Sequence, residues 1–253
     1  MFGSRVEAHE GTVGARRRLP GRMALVAVAA LVAIPIVSQL SGADASPAAG
    51  DPAVEGVAAG SPEVPPSVAV VGDSLVFQTA DEQRAALRDR GHVEVTVFGD
   101  PGQPMTAPTI GAHLDAALDA DVVVIATASN DNVANAIRAD EVGQAQALAE
   151  YHELLDRTLD RFDGRCVVLV DVRDVSSELY RTSFAPQTNS ELRRVAAERP
   201  HTVVVAWSDL SRAHGDDWFV GDRLHFDSGT ERRQAGADAY ADAVVDGVAG
   251  CGA

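Results

Sequence analysis

Five short runs of apolar, mostly β-branched residues recur along the chain, and each is followed by a stretch with helical periodicity. Continuous rather than alternating apolarity is typical of parallel strands buried between two layers of helices. Because crossovers between parallel strands are right-handed, this order predicts a flavodoxin-like, three-layer α/β/α sandwich with a five-stranded parallel sheet. The predicted strands are Val68–Val71, Val93–Phe98, Val122–Ala126, Cys166–Val170 and Thr202–Ala206.

Helical patterns fill the intervals between these strands and follow the last one. The sequence contains no internal repeat and no sign of a second domain, so one core is expected for about residues 67–253. The predicted helices are approximately Gln78–Arg90, Thr109–Ala117, Asn135–Phe162, Asn189–Glu198 and Thr230–Val248.

The N-terminal quarter of the chain has a different character. Residues 1–22 are polar and contain five arginines, whereas residues 23–43 contain no charged side chain. Positive charge before an apolar stretch holds the N-terminus in the cytoplasm, so we expect the rest of the chain to be exported. Residues 44–66 are rich in Ala, Gly, Pro and Ser and are expected to form a flexible linker.

Two fates of the apolar segment remain open. It is long enough to stay in the membrane as a single-pass anchor, which is the interpretation we favour. However, Ala43-Asp44-Ala45 also fits a signal peptidase site, in which case the domain is secreted after cleavage near Ala45.

Charge and composition exclude several functional classes. The formal net charge of −16 argues against a nucleic acid partner, because phosphate binding needs a basic face. The chain contains 21 arginines and no lysine, which excludes Schiff-base chemistry, Ser-Lys dyads and P-loop lysines. Neither cysteine has the spacing of a zinc site.

Polar side chains with catalytic chemistry follow the predicted strands. Gly72-Asp73-Ser74-Leu75 comes directly after the first strand, Asn130 follows the third, and Asp222 and His225 follow the fifth. Parallel strands end at one edge of the sheet, where α/β proteins bind their ligands. A serine there becomes nucleophilic when a histidine accepts its proton and an acid orients the imidazole. The pattern therefore predicts a serine hydrolase.

Such a hydrolase also needs N–H donors directed at the oxyanion. The candidates are the N–H groups of Ser74 and Gly102 and the side-chain amide of Asn130. Glycine at position 102 permits the backbone to approach a substrate carbonyl closely.

These blocks resemble the four that name the SGNH, or GDSL, hydrolase family. The resemblance spans about residues 67–248 and implies a triad of Ser74, His225 and Asp222 that attacks an ester. It also implies that Gly102 and Asn130 complete the oxyanion hole. The mechanism needs neither a metal ion nor an organic cofactor. The matching blocks are Gly72-Asp73-Ser74-Leu75, Gly102, Asn130-Asp131 and Asp222-x-x-His225.

The chain departs from the family pattern in its third block, which usually reads Gly-x-Asn-Asp. Here the first position is Ala128, whose methyl group and restricted φ are expected to displace the loop slightly. Asn130-Asp131 alternatively caps the helix that follows. In the second block Gly99 competes with Gly102, and Gly102 is preferred because Gly99 sits at the strand end itself.

Other residues have two interpretations each. His214 is a rival base but is expected to be a surface histidine. Asp171 and Asp174 either contact substrate or have the more frequent roles of such acids, which are helix capping and loop solvation. A further group, consisting of Trp207, Trp218 and Phe219, either walls an acyl or sugar pocket or packs in the core.

Both cysteines fall in the part expected to be exported, where thiols tend to oxidise. We therefore expect a disulfide between Cys166 and Cys251, the alternative being a buried thiol and a second thiol in a frayed tail.

The functional expectation is an extracytoplasmic serine esterase or acyltransferase. Its substrate would be a small-molecule ester or an ester of the cell envelope, and its oligomeric state stays open. The alternative is a surface-anchored binding module that keeps the fold with little turnover, which the alanine at position 128 permits.

Overall fold

A computed structural model describes residues 65–175, 184–226 and 231–252. All of them belong to one compact unit. The expectations for residues 1–22, for residues 23–43 and for most of the 44–66 linker lie outside the described residues. Across the three described ranges, every helix is too short or too polar to cross a membrane.

The core of the fold is a sheet of five strands. The strands are β1 Val68–Gly72, β2 Val95–Gly99, β3 Val122–Ala126, β4 Cys166–Val170 and β5 Thr202–Val205. All of them run parallel, in the order β2-β1-β3-β4-β5. Every residue of β1 and β3 is buried, as their continuous apolarity predicts. The edge strands β2 and β5 are only partly buried. The predicted architecture is therefore confirmed.

Helices cover both faces of this sheet. The helices are α1 Ser74–Gln78, α2 Ala80–Asp89, α3 Pro108–Ala116, α4 Ala128–Val142, α5 Gln144–Leu159, α6 Ala185–Ala197, α7 Trp207–Ala213 and α8 Glu231–Ala249. Val70 and Val124 pack beneath α2 and α8, whereas Val71 and Ile125 pack beneath α3, α5 and α6. Successive side chains of a strand point to opposite faces of the sheet, so adjacent apolar residues supply two separate cores.

The strand register aligns the residues that precede the predicted site. Gly72 at the end of β1 is paired with Gly99 of β2 on one side and with Ala126 of β3 on the other. The chain therefore leaves these three strands at the same level. As a result, the segments after them meet at one edge of the sheet.

Three of the predicted helices are wrong in extent. The stretch Asn189–Glu198 is part of α6, which already begins at Ala185. The other two are each broken by a residue outside helical geometry. The stretch Asn135–Phe162 is divided into α4 and α5 at Gly143, whose φ of 91° cannot occur inside a right-handed helix. The stretch Gln78–Arg90 likewise divides at Thr79, and the part before it, α1, begins at Ser74.

Helix α7 was absent from the prediction, and β5 ends one residue earlier than expected. The seven residues of α7 are too few for a periodic pattern to emerge, and the helix forms because Trp207 is completely buried. Trp207 packs edge-on against Tyr240, with 4.9 Å between ring centroids. Tertiary packing, rather than local propensity, therefore forms this helix.

The expected disulfide between Cys166 and Cys251 is confirmed. It joins the first residue of β4 to the C-terminal turn, across a sequence separation of 85 residues. By constraining the unfolded chain, such a bridge contributes roughly 2–4 kcal/mol to stability.

Candidate active site

Ser74 lies on a tight turn between β1 and α1. Asp73 caps the helix, because its Oδ1 accepts the N–H of Leu75 at 3.0 Å. The turn requires glycine at position 72, where an added Cβ would lie 2.3 Å from Cγ2 of Val76. The strand, turn and helix together hold the Ser74 hydroxyl at the edge of the sheet.

His225 meets this serine from the other end of the chain. Its Nε2 lies 2.8 Å from Ser74 Oγ, and its Nδ1 lies 2.6 Å from Oδ2 of Asp222. Because an ionised carboxylate only accepts hydrogen bonds, Nδ1 carries the proton in this pair. In the neutral ring, Nε2 is then free to accept the Ser74 hydroxyl proton. The three side chains have the geometry of a serine hydrolase triad.

Asp222 is held as a carboxylate by its surroundings. Burial acts to raise its pKa, but a hydrogen bond from His225 and the N–H groups of Leu224 and His225 outweigh it and lower the pKa. Its Oδ1 accepts both N–H groups at 3.0 Å, which leaves Oδ2 directed at the imidazole. The carboxylate is therefore fixed in position as well as in charge.

The loop that carries Asp222 and His225 is held by a buried arginine that the sequence did not reveal. The Arg173 guanidinium donates to the carbonyl of Arg223 at 3.0 Å and to that of Gly215 at 2.7 Å. It also pairs with Asp216 at 2.7 Å, while its side chain is only 6% exposed. Burial lowers the pKa of Arg173, and Asp216 opposes this shift.

The backbone of this loop includes a rare conformation. Arg223, between Asp222 and His225, has a φ of 62°, in the left-handed region. Its own side chain reaches Asp216 at 2.8 Å, and Arg173 lies 4.1 Å above the Phe219 ring. Contacts from both sides therefore hold the strained residue in place.

Asn130 lies in the first turn of α4, not at its cap. The N-cap is Thr127, and the Asn130 N–H donates to the Thr127 carbonyl at 3.0 Å. The interpretation of Asn130-Asp131 as a helix cap is therefore wrong. Burial raises the pKa of Asp73, and contacts with Ser129 and with the backbone and side chain of Asn130 act to lower it. The Asn130 side chain thus lies near Asp73, the residue that precedes Ser74.

Ala128 fits this arrangement without backbone strain. It is the first residue of α4, is 5% exposed, and packs in the core beneath that face of the sheet. Among the described residues, Arg223 is the one non-glycine with positive φ, so Ala128 does not need a glycine conformation.

Asp131 ties the turn after β2 to the helix that carries Asn130. Its Oδ1 accepts the N–H of Met105 at 2.7 Å, and its Oδ2 accepts the hydroxyl of Thr127 at 2.7 Å. Burial raises the pKa of Asp131 to about 7, and Asp73 adds to the rise, against the hydrogen bonds that lower it. Asp131 therefore holds together the two loops that carry the predicted oxyanion donors.

The two candidate glycines of the second block differ in role. A Cβ on Gly99 would lie 2.3 Å from the backbone nitrogen of Phe77, so Gly99 is needed for the close approach of β2 to α1. Gly102 has a φ of 76°, and nothing lies within 4 Å of where its Cβ would be. Gly102 is thus the glycine with open space around it.

The remaining candidates lie outside the serine–histidine pair. His214 is exposed and stacks on Trp218, with 3.9 Å between ring centroids. Trp207, Trp218 and Phe219 are each less than 10% exposed and belong to one core cluster, so core packing describes them better than a pocket wall.

Asp171 has the capping role that was one of its two interpretations. Its Oδ1 accepts the Ser208 N–H at 2.6 Å, and its Oδ2 accepts the Ser208 hydroxyl at 2.7 Å. Arg193 also reaches Asp171, whereas Asp174 is exposed. Within the described ranges, no group of His, Cys, Asp or Glu side chains is arranged to hold a metal ion.

Comparison with known proteins adds to this geometry. No family model matches the chain, and no curated protein does either. The catalytic domain of peptidoglycan O-acetyltransferase A from Streptococcus pneumoniae is 18% identical, with a TM-score of 0.55, over 74% of this chain and 94% of that domain. A lipase/acylhydrolase from Enterococcus faecalis is 18% identical, with a TM-score of 0.54, over 73% and 96%.

A third structure, an acetylxylan esterase from Geobacillus stearothermophilus, is 14% identical, with a TM-score of 0.52, over 73% of this chain and 94% of that one. The chain has the SGNH hydrolase fold. On this SGNH fold, Ser74 follows the first strand, and His225 reaches it from the loop before the last helix.

Proposed function

We propose that the chain is a serine-dependent ester hydrolase or acyltransferase of the SGNH type. The observation that carries the proposal is the continuous hydrogen-bonded series from Asp222 through His225 to Ser74, with distances of 2.6 Å and 2.8 Å. The three solved structures of the same fold are named as an O-acetyltransferase domain, an acylhydrolase and an acetylxylan esterase. Their names support acyl or acetyl esters as the substrate class.

The proposed reaction begins with proton transfer from Ser74 Oγ to His225 Nε2. Ser74 then attacks the ester carbonyl, and the N–H groups of Ser74 and Gly102 and the amide of Asn130 stabilise the oxyanion. His225 returns the proton to the leaving alcohol, and an acyl-enzyme remains on Ser74. Water, or the hydroxyl of an acceptor, attacks this ester in the second half of the reaction, again with His225 as base.

Labelling with a fluorophosphonate tests whether Ser74 is activated. The full-length protein is expected to be labelled, and Ser74→Ala is expected to abolish labelling while the far-ultraviolet circular dichroism stays unchanged. The matched control is Ser190→Ala, since Ser190 is an exposed serine on α6. A protein that stays unlabelled would favour the binding module; one labelled equally after Ser74→Ala would refute Ser74 as nucleophile.

Hydrolysis and transfer are separated by a second measurement. p-Nitrophenyl acetate is supplied with and without an acceptor oligosaccharide, and both acetate and acetylated acceptor are quantified. A hydrolase releases acetate whether or not the acceptor is present. A transferase instead forms acetylated acceptor and releases more p-nitrophenol when the acceptor is added.

The proposed location is outside the cytoplasm, with residues 23–43 as a membrane anchor. The support is the basic segment before this uncharged stretch and the confirmed Cys166–Cys251 disulfide, since disulfides persist in oxidising compartments. Protease added to intact cells is expected to degrade the domain. N-terminal sequencing of the mature protein distinguishes an anchor from cleavage near Ala45.

A further inference from the structure

A cleft of about 760 Å³ lies beside α1, next to the candidate active site rather than around it. Cavities of this size are in the range that binds small ligands. Its lining combines an aromatic ring with polar and charged side chains. The residues include Phe77, Gln78, Glu82, Arg84, Gly99 and Arg233.

One wall of this cleft is built on the same helix as the nucleophile. Phe77 is three residues after Ser74 in α1, and residues at this spacing lie on the same side of a helix. The backbone of Phe77 packs against Gly99, where a Cβ would lie 2.3 Å from its nitrogen. The backbone position of Phe77 relative to Ser74 is therefore set by this packing.

Another part of the lining is connected to the histidine loop. Gln78 accepts the N–H of Phe226 through its Oε1 at 3.3 Å, and Phe226 directly follows His225. Arg233 donates to the Gln78 carbonyl at 2.9 Å and thereby joins the first turn of α8 to α1. Hydrogen bonds thus connect residues of the cleft to the helix that carries Ser74 and to the loop that carries His225.

Among the residues that the structure describes, Phe77 is the one Phe, Tyr or Trp side chain that is exposed. Its exposure is 59%, whereas the aromatic residues of the α8-facing core are each less than 10% exposed. Beside a cleft, an exposed ring offers a flat apolar surface to a ligand. Its flat apolar face suits the C–H groups on one face of a sugar ring.

The charged groups of the cleft neutralise one another. Arg84 pairs with Asp81 at 2.9 Å, and Arg233 pairs with Glu82 at 3.6 Å. The cleft therefore presents hydrogen-bonding groups without net charge, which does not suit a phosphate or a carboxylate. A long acyl chain also fits poorly, because it needs continuous apolar walls.

We propose that this cleft binds a neutral sugar ring of an acylated oligosaccharide or polysaccharide, with Phe77 stacked on the ring. This inference rests on the proposed function, because the sugar ring bound in the cleft is expected to be adjacent to the sugar whose ester reacts at Ser74. The substrate class is then an acyl-carbohydrate, with the acyl group at the serine and the adjacent ring held at Phe77.

The test measures binding separately from catalysis. Full-length protein carrying Ser74→Ala is titrated with xylohexaose and with hexa-N-acetylchitohexaose, both neutral, and the Kd is measured by calorimetry. Adding Phe77→Ala is expected to weaken binding of at least one of them about tenfold, the loss of one stacking contact. Phe77→Trp is expected to retain binding, and Phe77→Leu is expected to lose it because leucine has no flat face.

The control for general surface effects is Ile137→Ala in the same background. Ile137 is also 59% exposed but lies on α4, outside the cleft lining. It is expected to leave the Kd unchanged. Absence of binding to both oligosaccharides, or binding that is insensitive to Phe77→Ala, would overturn the proposal.

Turnover distinguishes failure of the cleft from failure of the proposed function. In protein with Ser74 intact, Phe77→Ala is expected to raise the KM for acetylated xylo-oligosaccharides about tenfold. The KM for p-nitrophenyl acetate, which is too small to span both sites, is expected to stay the same. A raised KM for p-nitrophenyl decanoate alone would assign the cleft to an acyl chain and refute the sugar site.

If no ester is turned over while Phe77-dependent oligosaccharide binding persists, the esterase proposal fails and the sugar site stands. If esters are turned over but Phe77→Ala changes neither oligosaccharide binding nor KM, the sugar site fails alone.

Discussion

Oδ2 of Asp222 lies 2.6 Å from Nδ1 of His225, while Oδ1 of the same carboxylate accepts the His225 backbone N–H. The carboxylate therefore binds both the ring and the backbone of one residue. This double contact fixes the tautomer of the imidazole and its direction towards Ser74.

Asp222→Asn is expected to lower kcat for p-nitrophenyl acetate roughly 10²–10⁴-fold with the fold intact. The asparagine oxygen keeps the backbone contacts, so the NH₂ group faces the imidazole and forces the proton onto Nε2. That nitrogen then no longer accepts the Ser74 proton. The control is Asp217→Asn, an exposed acid of the same loop; a kcat within about twofold of the unsubstituted protein for Asp222→Asn would contradict the triad.

Arg173 is expected to act as a positioning residue for His225 without touching substrate. Arg173→Met removes the donor to the Arg223 and Gly215 carbonyls and is expected to lower kcat about 10–100-fold, because a misplaced base loses its alignment. The rate of fluorophosphonate labelling should fall in parallel, whereas KM should change less. Arg173→Lys is expected to recover part of the rate, since its ammonium group keeps the positive charge and can donate to some of the same oxygens.

The matched control for Arg173 is Arg199→Met. Arg199 is another arginine with several acceptors, here the carboxylates of Asp156 and Asp160, but it lies away from the site. If both variants lose the same stability and the labelling rate does not fall selectively in Arg173→Met, the role of Arg173 is structural only.

The strands and the serine–histidine pair were predictable because their signals are local or follow from chain order. Short β-branched runs identify buried strands, and parallel topology then places Ser74 and His225 at one edge even though 151 residues separate them. The Cys166–Cys251 pair was predictable because these are the only two cysteines in the chain.

Arg173 was not predictable, because its partners are mostly backbone carbonyls that carry no sequence signature. Asp131 was visible as part of a motif, but its contact with Met105 depends on how two loops pack. The break at Gly143 was missed because an isolated glycine inside an apolar pattern is often tolerated in a helix. Each of these features depends on tertiary structure.

Asp131 is expected to make stability fall as pH rises. Its pKa is raised from 3.8 to about 7, with burial as the main cause, so between these values the folded state binds more protons than the unfolded state. Stability therefore decreases with increasing pH through this window. A shift of this size corresponds to a loss of up to about 4 kcal/mol between pH 4 and pH 8.

Asp131→Asn is expected to remove this dependence while keeping the contacts. Its oxygen accepts the Met105 N–H, and its NH₂ group donates to the Thr127 hydroxyl. Urea unfolding should show the variant more stable than the unsubstituted protein at pH 8 but not at pH 5. Parallel stability curves for the two proteins across this range would contradict the raised pKa.

Gly99→Ala and Gly102→Ala are expected to separate packing from catalysis at the turn after β2. An alanine Cβ at position 99 meets the Phe77 backbone, which cannot rotate away, and should lower the free energy of unfolding by about 2–3 kcal/mol. At position 102 the space is open, so the cost is about 1–2 kcal/mol from the positive φ alone.

The effect on turnover should be in the opposite order, because the Gly102 N–H is the proposed oxyanion donor. Gly102→Ala is expected to lower kcat about 10–100-fold, since relaxation of the strained φ turns the N–H away from the oxyanion. Gly99→Ala that remains folded should lose less activity. Urea unfolding and kcat for p-nitrophenyl acetate measure both effects. If Gly102→Ala keeps full activity while folded Gly99→Ala loses it, the donor is Gly99, the alternative that the sequence left open.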